Sequence, residues 1–166
     1  RFHRILDSHL RKAPFSFRNF TNSYTRWLRM NSNVKDIISS KLGYTGKIYF
    51  INHHVSHAAS AYFPSHFNEA AILTLDGVGE WSTTTLGIGN GNKIKLLKEI
   101  KYPHSIGLLY STITAYLGFS VNNSEYKVMG LAAYGNPDRY FDQFKEMIEL
   151  KDDGSFQLNM KYFDFN

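Results

Sequence analysis

The sequence of 166 residues contains no cysteine, and this absence removes two kinds of site. Disulfide bonds cannot form, and a bound metal ion would need histidine and carboxylate ligands, because no thiolate is present. No apolar run approaches the roughly 20 residues of a membrane-spanning helix, so a membrane is not an expected partner. The chain also starts at Arg1, without a methionine or a signal sequence. We therefore expect a cytoplasmic protein, and we expect this sequence to be a piece of a longer chain.

The net charge of +5 is modest, and part of the basic excess lies near the start of the chain. We expect this basic segment to pack on other parts of the same protein. A basic excess can also indicate nucleic-acid binding, but no aromatic-interleaved RNA motif accompanies it, which argues against a nucleic-acid partner. The basic residues of the segment are Arg1, Arg4, Arg11, Lys12, Arg18, Arg26 and Arg29.

Caps and residue patterns in the first part of the chain predict helices and one strand. Helical periodicity over residues 1–40 includes a short helix through Ser40 that Ser32 or Asn33 could cap. β-Branched and aromatic residues over 47–51 predict a short buried strand. Asn52 should then cap a helix over 53–63, which Pro64 ends.

The region from residue 70 onward gives the clearest β pattern. It predicts three antiparallel strands over 70–75, 82–89 and 93–101, with Asn90–Gly91 as a type I′ turn between the last two. Next come a helix over 106–117 that stops at Gly118 and a compact segment over 125–134. Asn136 should cap a helix that Pro137 opens and that runs to about residue 150, and the tail over 156–158 and 162–165 alternates like a hairpin.

His53 and His57 are the best metal-ligand candidates. Their spacing of four residues places both imidazoles on one helical face, where they could bind one iron, zinc or nickel ion. Two ligands are too few for a tight site, so a further group, such as a carboxylate, would have to join them. The alternative is a pair of structural histidines on an alanine-rich helix. His54 points about 100° away, so we expect it to hydrogen-bond locally and not to share the site.

A glycine-flanked acidic turn lies between the first two predicted strands, with the sequence Asp76-Gly77-Val78-Gly79-Glu80. The uncovered amides of the two glycines could bind phosphate oxygens, and Asp76 could bind a metal ion or its water. A hairpin with a β-bulge is the alternative. A metal site beside a phosphate site would suit group transfer that involves a nucleotide.

Three further residues could carry chemistry. Lys127 could neutralise a phosphate or a carbamoyl-phosphate-like oxyanion, while Glu125 could orient it or bind a hydroxyl. The alternative for these two is a surface ion pair of little energetic value. His104, which follows Pro103, is a possible proton donor.

Four ordered motifs resemble the O-carbamoyltransferases of the NodU/CmcH type. They are His53–Tyr62 (HHVSHAASAY), Leu73–Trp81 (LTLDGVGEW), Pro103–Tyr110 (PHSIGLLY) and Glu125–Gly135 (EYKVMGLAAYG), and the similarity runs from about residue 48 to 137. The resemblance implies an α/β fold of the actin/Hsp70/sugar-kinase (ASKHA) type, a mixed sheet with an antiparallel meander and flanking helices. It also implies that residues 1–69 end the first lobe of that fold and that residues 70–166 begin the second.

The resemblance further implies carbamoyl transfer from carbamoyl-adenylate to a hydroxyl of a sugar or natural product. A later domain would make this adenylate from carbamoyl phosphate and ATP. In a related enzyme, which installs threonylcarbamoyl groups on tRNA, an Asn-His-x-x-x-His helix binds iron or zinc. The register maps those ligands onto His53 and His57, with iron the expected metal. The third ligand, an aspartate, would lie beyond Asn166, and the isolated piece would be inactive.

The remaining site residues follow from the same resemblance, and two other functions stay open. Asp76, Glu125 and Lys127 would be catalytic, and Gly77, Val78, Gly79, Glu80 and His104 would bind the nucleotide. Asn122-Asn123-Ser124 stands where the family has a glycine-containing turn. The alternatives are an ATP-dependent kinase or ATPase of the same fold, and a non-catalytic module for nucleotide binding or protein interaction.

Overall fold

A computed structural model of the chain describes residues 6, 9–10, 13, 17–30 and 33–163. Its contacts separate two units, residues 1–51 and residues 52–165. The predicted packing of Arg1, Arg4, Arg11 and Lys12 lies outside the described residues, and the lobe boundary at residue 69 stays a prediction. No helix within the described ranges is long and apolar enough to cross a membrane.

The first unit contains helices α1 (Phe17–Met30) and α2 (Val34–Leu42). Asn33 occupies the predicted N-cap position of α2, but its side chain makes no capping hydrogen bond, and Gly43 ends the helix with φ of 62°. The predicted buried strand over 47–51 is wrong: the segment is irregular, and Tyr49 and Phe50 are 72% and 70% exposed. Its residues favour a strand, but a strand needs a neighbour for its backbone groups, and the described part of this unit contains none.

The second unit begins with helix α3 (His53–Tyr62) and a three-stranded antiparallel sheet. The strands β1 (Glu69–Gly79), β2 (Ser82–Asn90) and β3 (Lys93–Lys101) follow one another in space, so the predicted meander is confirmed. The predicted turn is displaced by one residue, because Asn90 pairs with Lys93 and the loop is Gly91–Asn92. Only Gly91 has a positive φ, whereas a type I′ turn requires one at both central residues.

Helix α3 packs on one face of this sheet. Its apolar contacts centre on Ala58, Tyr62 and Ile72, which form the buried cluster. The Tyr62 ring lies directly against the β2 backbone, since a Cβ on Gly89 would come within 2.5 Å of it. The Tyr62 hydroxyl donates to the carbonyl of Asn68 at 2.6 Å. Small residues on both elements therefore bring the helix close to the sheet.

Two helices follow the sheet, and both lie where the sequence predicts ordered structure. Helix α4 (Ile106–Tyr116) starts after Ser105, and Gly118 beyond its end has φ of 83°. Helix α5 (Glu125–Ala132) occupies the compact segment predicted at 125–134. Asn122 adopts φ of 62° before α5, a conformation that glycine adopts freely and that asparagine tolerates.

The last part of the chain departs from its predicted pattern. Asn136 caps a 3₁₀ turn over Pro137–Tyr140, which continues as helix α6 (Phe141–Met147). The helix does not reach residue 150, because Ile148–Leu150 forms strand β4, which pairs with β5 (Phe156–Leu158). The predicted hairpin of 156–158 with 162–165 is replaced, within the described residues, by the pairing of β5 with β4, and residues 164–165 lie outside the described residues. Gly154, at φ of 79°, allows the earlier turn, and Phe156 and Leu158 are buried.

His104 links this β4–β5 hairpin to the meander. Its Nδ1 accepts a hydrogen bond from the amide of Leu158 at 3.1 Å, and its carbonyl accepts from the buried Thr83 hydroxyl at 2.5 Å. Burial lowers the pKa of His104 below its ordinary 6.5, and the positive charge of Lys151 lowers it further. The imidazole is therefore a hydrogen-bond acceptor inside the fold, and its predicted role in nucleotide binding stays a prediction.

We predict that His104 makes stability depend on pH. The folded state holds the pKa of His104 below the unfolded value, so below about pH 6.5 the unfolded chain binds a proton that the folded chain does not. The free energy of unfolding should then fall as the pH decreases from about 7 to about 5. His104→Gln should make this dependence shallower in urea titrations, and Lys151→Gln should do so to a smaller degree. A wild-type pH dependence in His104→Gln would contradict the prediction.

Candidate metal centre

Asn52 sets the first turn of α3 and so the direction of its histidines. The Asn52 carboxamide oxygen accepts hydrogen bonds from the amides of His54 and Val55 at 3.0 and 3.3 Å. His53 and His57 project from the same side of the helix, and their Nε2 atoms lie 2.9 Å apart. Both side chains are partly exposed. The two imidazoles converge on one point, as the four-residue spacing predicts.

A β-bulge brings a carboxylate to the same point. Regular pairing of β1 with β2 stops at Leu75↔Thr84 and resumes at Gly79↔Ser82, so residues 76–78 face Thr83 alone. This break turns Asp76 toward α3, where its Oδ2 contacts His53 Nε2 and lies 3.6 Å from His57 Nε2. The ligand atoms of His53, His57 and Asp76 all lie within 4.8 Å of one another. Among the described residues, Asp76 thus supplies the carboxylate that a metal site with two histidine ligands would require.

The charge of Asp76 suits this position. Burial raises the pKa of its carboxyl group, but hydrogen bonds from His53 and the Gly77 amide, together with the charges of His53 and His57, outweigh burial. The net pKa lies below the ordinary 3.8, so the group is an anion at neutral pH. Two imidazoles and one carboxylate are a donor set that divalent iron and zinc accept.

His54 connects α3 to two strands. It is 1% exposed, its Nε2 lies 2.8 Å from the Ser82 carbonyl, and its Nδ1 lies 2.6 Å from the Thr74 hydroxyl. A carbonyl can only accept, so Nε2 donates to Ser82, and Nδ1 can then accept from the Thr74 hydroxyl. The expectation that His54 bonds locally is wrong, because its partners lie 20 and 28 residues away. The ring holds the helix at the angle from which its neighbours can meet Asp76.

Gly79 allows the close approach of α3. A Cβ at this position would lie 2.3 Å from His53 Cδ2 and 2.9 Å from His54 Nε2. By contrast, a Cβ at Gly77 would meet only Leu108, at 3.9 Å. Neither glycine has a positive φ. The amide of Gly77 donates to Asp76 Oδ1 at 2.6 Å, so in this conformation it is already hydrogen-bonded. Phosphate binding by the turn stays a prediction.

The other turn residues surround the centre. Val78 is partly buried within the bulge. Glu80 occupies the β1–β2 turn with φ of 61°, an unusual value for a residue with a Cβ, and its carboxylate accepts from the Asn52 side-chain amide at 3.4 Å. The cap of α3 and the β1–β2 turn are therefore joined directly.

Glu125 and Lys127 lie at the start of α5. A Glu125 carboxylate oxygen accepts from the Asn122 amide at 2.7 Å and from the Ser111 hydroxyl at 3.2 Å. The Asn122 bond is the main cause that lowers the pKa of Glu125. Lys127 is exposed, with its Nζ 6.0 Å from the Tyr126 ring centre. Among the described contacts, neither side chain touches the histidines or Asp76, so their catalytic roles remain predictions.

Ser105 and Gly107, which sequence reasoning did not select, contact the bulge. The Ser105 hydroxyl lies 2.7 Å from the Gly77 carbonyl oxygen, and a Cβ on Gly107 would lie 2.7 Å from the Asp76 carbonyl oxygen. Both residues belong to the third motif, Pro103–Tyr110. A glycine in the first turn of a helix was the available signal, since it costs helix stability unless space demands it.

Comparison with known proteins places this chain in a family. A family model described as "Carbamoyltransferase N-terminus" matches residues 1–166. An uncharacterized protein of Synechocystis is 46% identical over 99% of this chain and 28% of its own length. Nodulation protein NolNO of Sinorhizobium fredii is 42% identical over 68% of the chain and 16% of its own length.

A further relative, Nodulation protein NolO of Bradyrhizobium diazoefficiens, is 38% identical over 66% of the chain and 20% of its own length. The chain thus spans less than a third of each of these three relatives. The match of the family model to the whole chain confirms the resemblance that the four motifs indicate. The chain belongs to the carbamoyltransferase family, in which it corresponds to the N-terminal region.

Proposed function

We propose that the full-length protein transfers a carbamoyl group from carbamoyl-adenylate to a hydroxyl of a sugar or natural product. Membership of the carbamoyltransferase family supports the reaction class. The observation that carries the proposal is the convergence of His53, His57 and Asp76 beside the glycine turn. Carbamoyl phosphate and ATP would supply the adenylate, in a separate domain. An ASKHA fold for the complete domain is part of the same proposal.

His53, His57 and Asp76 would hold a divalent metal ion, iron first and zinc second. The donor set fits, because Asp76 is anionic and each imidazole directs Nε2 toward the shared point. When bound, the ion would supply Lewis-acid polarisation of a carbamoyl or phosphate oxygen. These three residues would fill three positions, so the aspartate expected beyond Asn166 or a substrate oxygen could still bind.

Residues of this chain would stabilise the negative charge that develops on the phosphate during carbamoyl transfer. The acceptor hydroxyl oxygen bonds to the carbamoyl carbon and releases its proton to solvent. The bond from that carbon to the phosphate oxygen of the adenylate breaks, and AMP leaves with the electron pair of that bond as added negative charge. The turn over 77–80 would hold this phosphate, provided Asp76 releases the Gly77 amide. Lys127 has no carboxylate partner among the described residues and would offset the phosphate charge. Glu125 would order the start of α5, which carries Lys127.

The first prediction of this proposal separates adenylate formation from transfer. Full-length wild-type protein with ATP, labelled carbamoyl phosphate and a panel of hydroxyl acceptors should form AMP only when carbamoyl phosphate is present. His57→Ala should still make carbamoyl-adenylate but should lose at least about tenfold in carbamoyl transfer. Gly130→Ala is the control, because a Cβ there meets no atom within 4 Å.

Other outcomes of this assay select the alternatives. ATP turnover that does not need carbamoyl phosphate would favour a kinase or ATPase. Absence of both nucleotide turnover and metal would favour an interaction module. Transfer at the wild-type rate in His57→Ala would remove His57 from the site.

Metal binding can be tested without an acceptor. We expect the full-length wild-type protein to bind Co²⁺ at this centre, and His57→Ala to weaken that binding at least about tenfold. His66→Ala is the matched control, because His66 is exposed and lies in the loop between α3 and β1. Titration followed by visible absorption would measure both. Equal affinities in His57→Ala and His66→Ala would contradict the assignment.

The two glycines of the turn should differ in their effects. Gly79→Ala should push the His53 imidazole aside, because its Cβ would lie 2.3 Å from that ring, and should weaken Co²⁺ binding about tenfold, which is roughly 1.4 kcal/mol. Gly77→Ala has room for its Cβ and should keep Co²⁺ affinity, while weakening AMP binding if phosphate approaches this amide. Calorimetric titrations with Co²⁺ and with AMP would measure the two effects. Wild-type Co²⁺ affinity in Gly79→Ala would contradict the close-packing explanation.

A further inference from the structure

The bulge over 76–78 needs hydrogen-bond partners that β2 does not provide. Residues in a bulge leave the strand ladder, yet their buried backbone groups must still be satisfied. The Ser105 hydroxyl offers its one proton to two consecutive carbonyls, since its oxygen lies 2.7 Å from Gly77 O and 3.1 Å from Asp76 O. Ser105 is fully buried. The hydroxyl oxygen also accepts from the Leu108 amide at 3.0 Å, so the residue that starts α4 also holds the bulge.

Gly107 brings the first turn of α4 against the same backbone. A Cβ at this position would lie 2.7 Å from Asp76 O and 2.8 Å from Gly77 N. These neighbours are main-chain atoms, so they could yield only if the bulge or the helix moved. Gly107 has no positive φ, so space, not backbone conformation, explains the glycine.

We propose that Ser105 and Gly107 are positioning residues for the candidate metal centre. Neither residue is a ligand. Together they fix the main-chain conformation at Asp76, and this conformation directs the Asp76 carboxylate toward His53 and His57. The inference rests on the proposed function, because it concerns the same three ligands. A serine that only caps α4 would affect stability, whereas a positioning serine must also affect the metal affinity of the folded protein.

Ser105→Ala in the full-length protein separates these two roles. Thr114→Val is the matched control, because Thr114 is also a fully buried hydroxyl residue of α4 and donates only within the helix, to the Tyr110 carbonyl at 2.9 Å. Titration with Co²⁺ alone, at a temperature where circular dichroism shows all proteins folded, should give at least about tenfold weaker binding for Ser105→Ala. Thr114→Val should stay within about twofold of wild type.

A second pair of variants tests the backbone contact. Gly107→Ala should also weaken Co²⁺ binding, whereas Gly130→Ala, another helical glycine with open space around it, should not. Wild-type affinity in Ser105→Ala would overturn the proposal. Equal losses in Ser105→Ala and Thr114→Val would also overturn it, because general loosening of α4 would then explain both.

Crystal structures of the metal-free full-length proteins keep this inference separate from the proposed function. If wild type binds no Co²⁺, the metal centre fails, but the role of Ser105 in placing Asp76 can still be decided. We expect the distance from Asp76 Oδ2 to His57 Nε2, 3.6 Å here, to increase by more than about 1 Å in Ser105→Ala. An unchanged distance would overturn the proposal.

Discussion

The break in pairing between Leu75 and Gly79 is the constraint on which the rest of the second unit depends. A regular strand would continue the ladder, and its side chains would alternate between the two faces. Here residues 76–78 face a single residue of β2, so the main chain forms a bulge. The bulge places the Asp76 carboxylate in contact with His53 at the start of α3. In the same bulge, the carbonyl of Gly77 accepts a hydrogen bond from Ser105. The contacts with α3 and α4 leave no space for a Cβ at Gly79 or at Gly107. Two helices therefore pack against one irregular stretch of β1.

The core beneath this stretch is polar, which affects how firmly the two sides of the centre are held. Fully or nearly fully buried residues include His54, Thr83 and Thr85 as well as apolar side chains. The Thr74 and Thr85 hydroxyls lie 2.7 Å apart, which extends the His54 contacts from β1 into β2. Hydrogen bonds are directional, so a satisfied network fixes the rotation of α3 on the sheet more narrowly than apolar packing alone. The positions of His53 and His57 depend on that rotation.

The sequence predicts most of the local structure and much less of what depends on distant pairing. Asn52, Pro64, Ser105 and Gly118 mark helix ends through local backbone chemistry, and the meander follows from alternating runs. The prediction of a strand over 47–51 and of a helix over 148–150 was wrong, because strand formation depends on a neighbouring strand that local residue preferences do not identify. For the centre, spacing pairs His53 with His57, but only the register of β1 against β2 brings Asp76 to them. Ser105 and Gly107 act on residues about thirty positions earlier, and no local pattern links them.

Within this chain, the proposed metal centre is more exposed than the histidine that links α3 to the strands. His53 and His57 keep side-chain exposures of 39% and 50%, and Asp76 keeps 29%, although all three lie against a tightly packed turn. A structural pair would gain more from full burial with fixed partners, as His54 shows one residue away. Residues that are open to a ligand while their main chain is held by buried contacts match the requirement for a preorganised site, since little ordering remains to be done when an ion or substrate arrives. The contrast between His54 and its neighbours thus separates the histidine that builds the fold from the two that remain accessible.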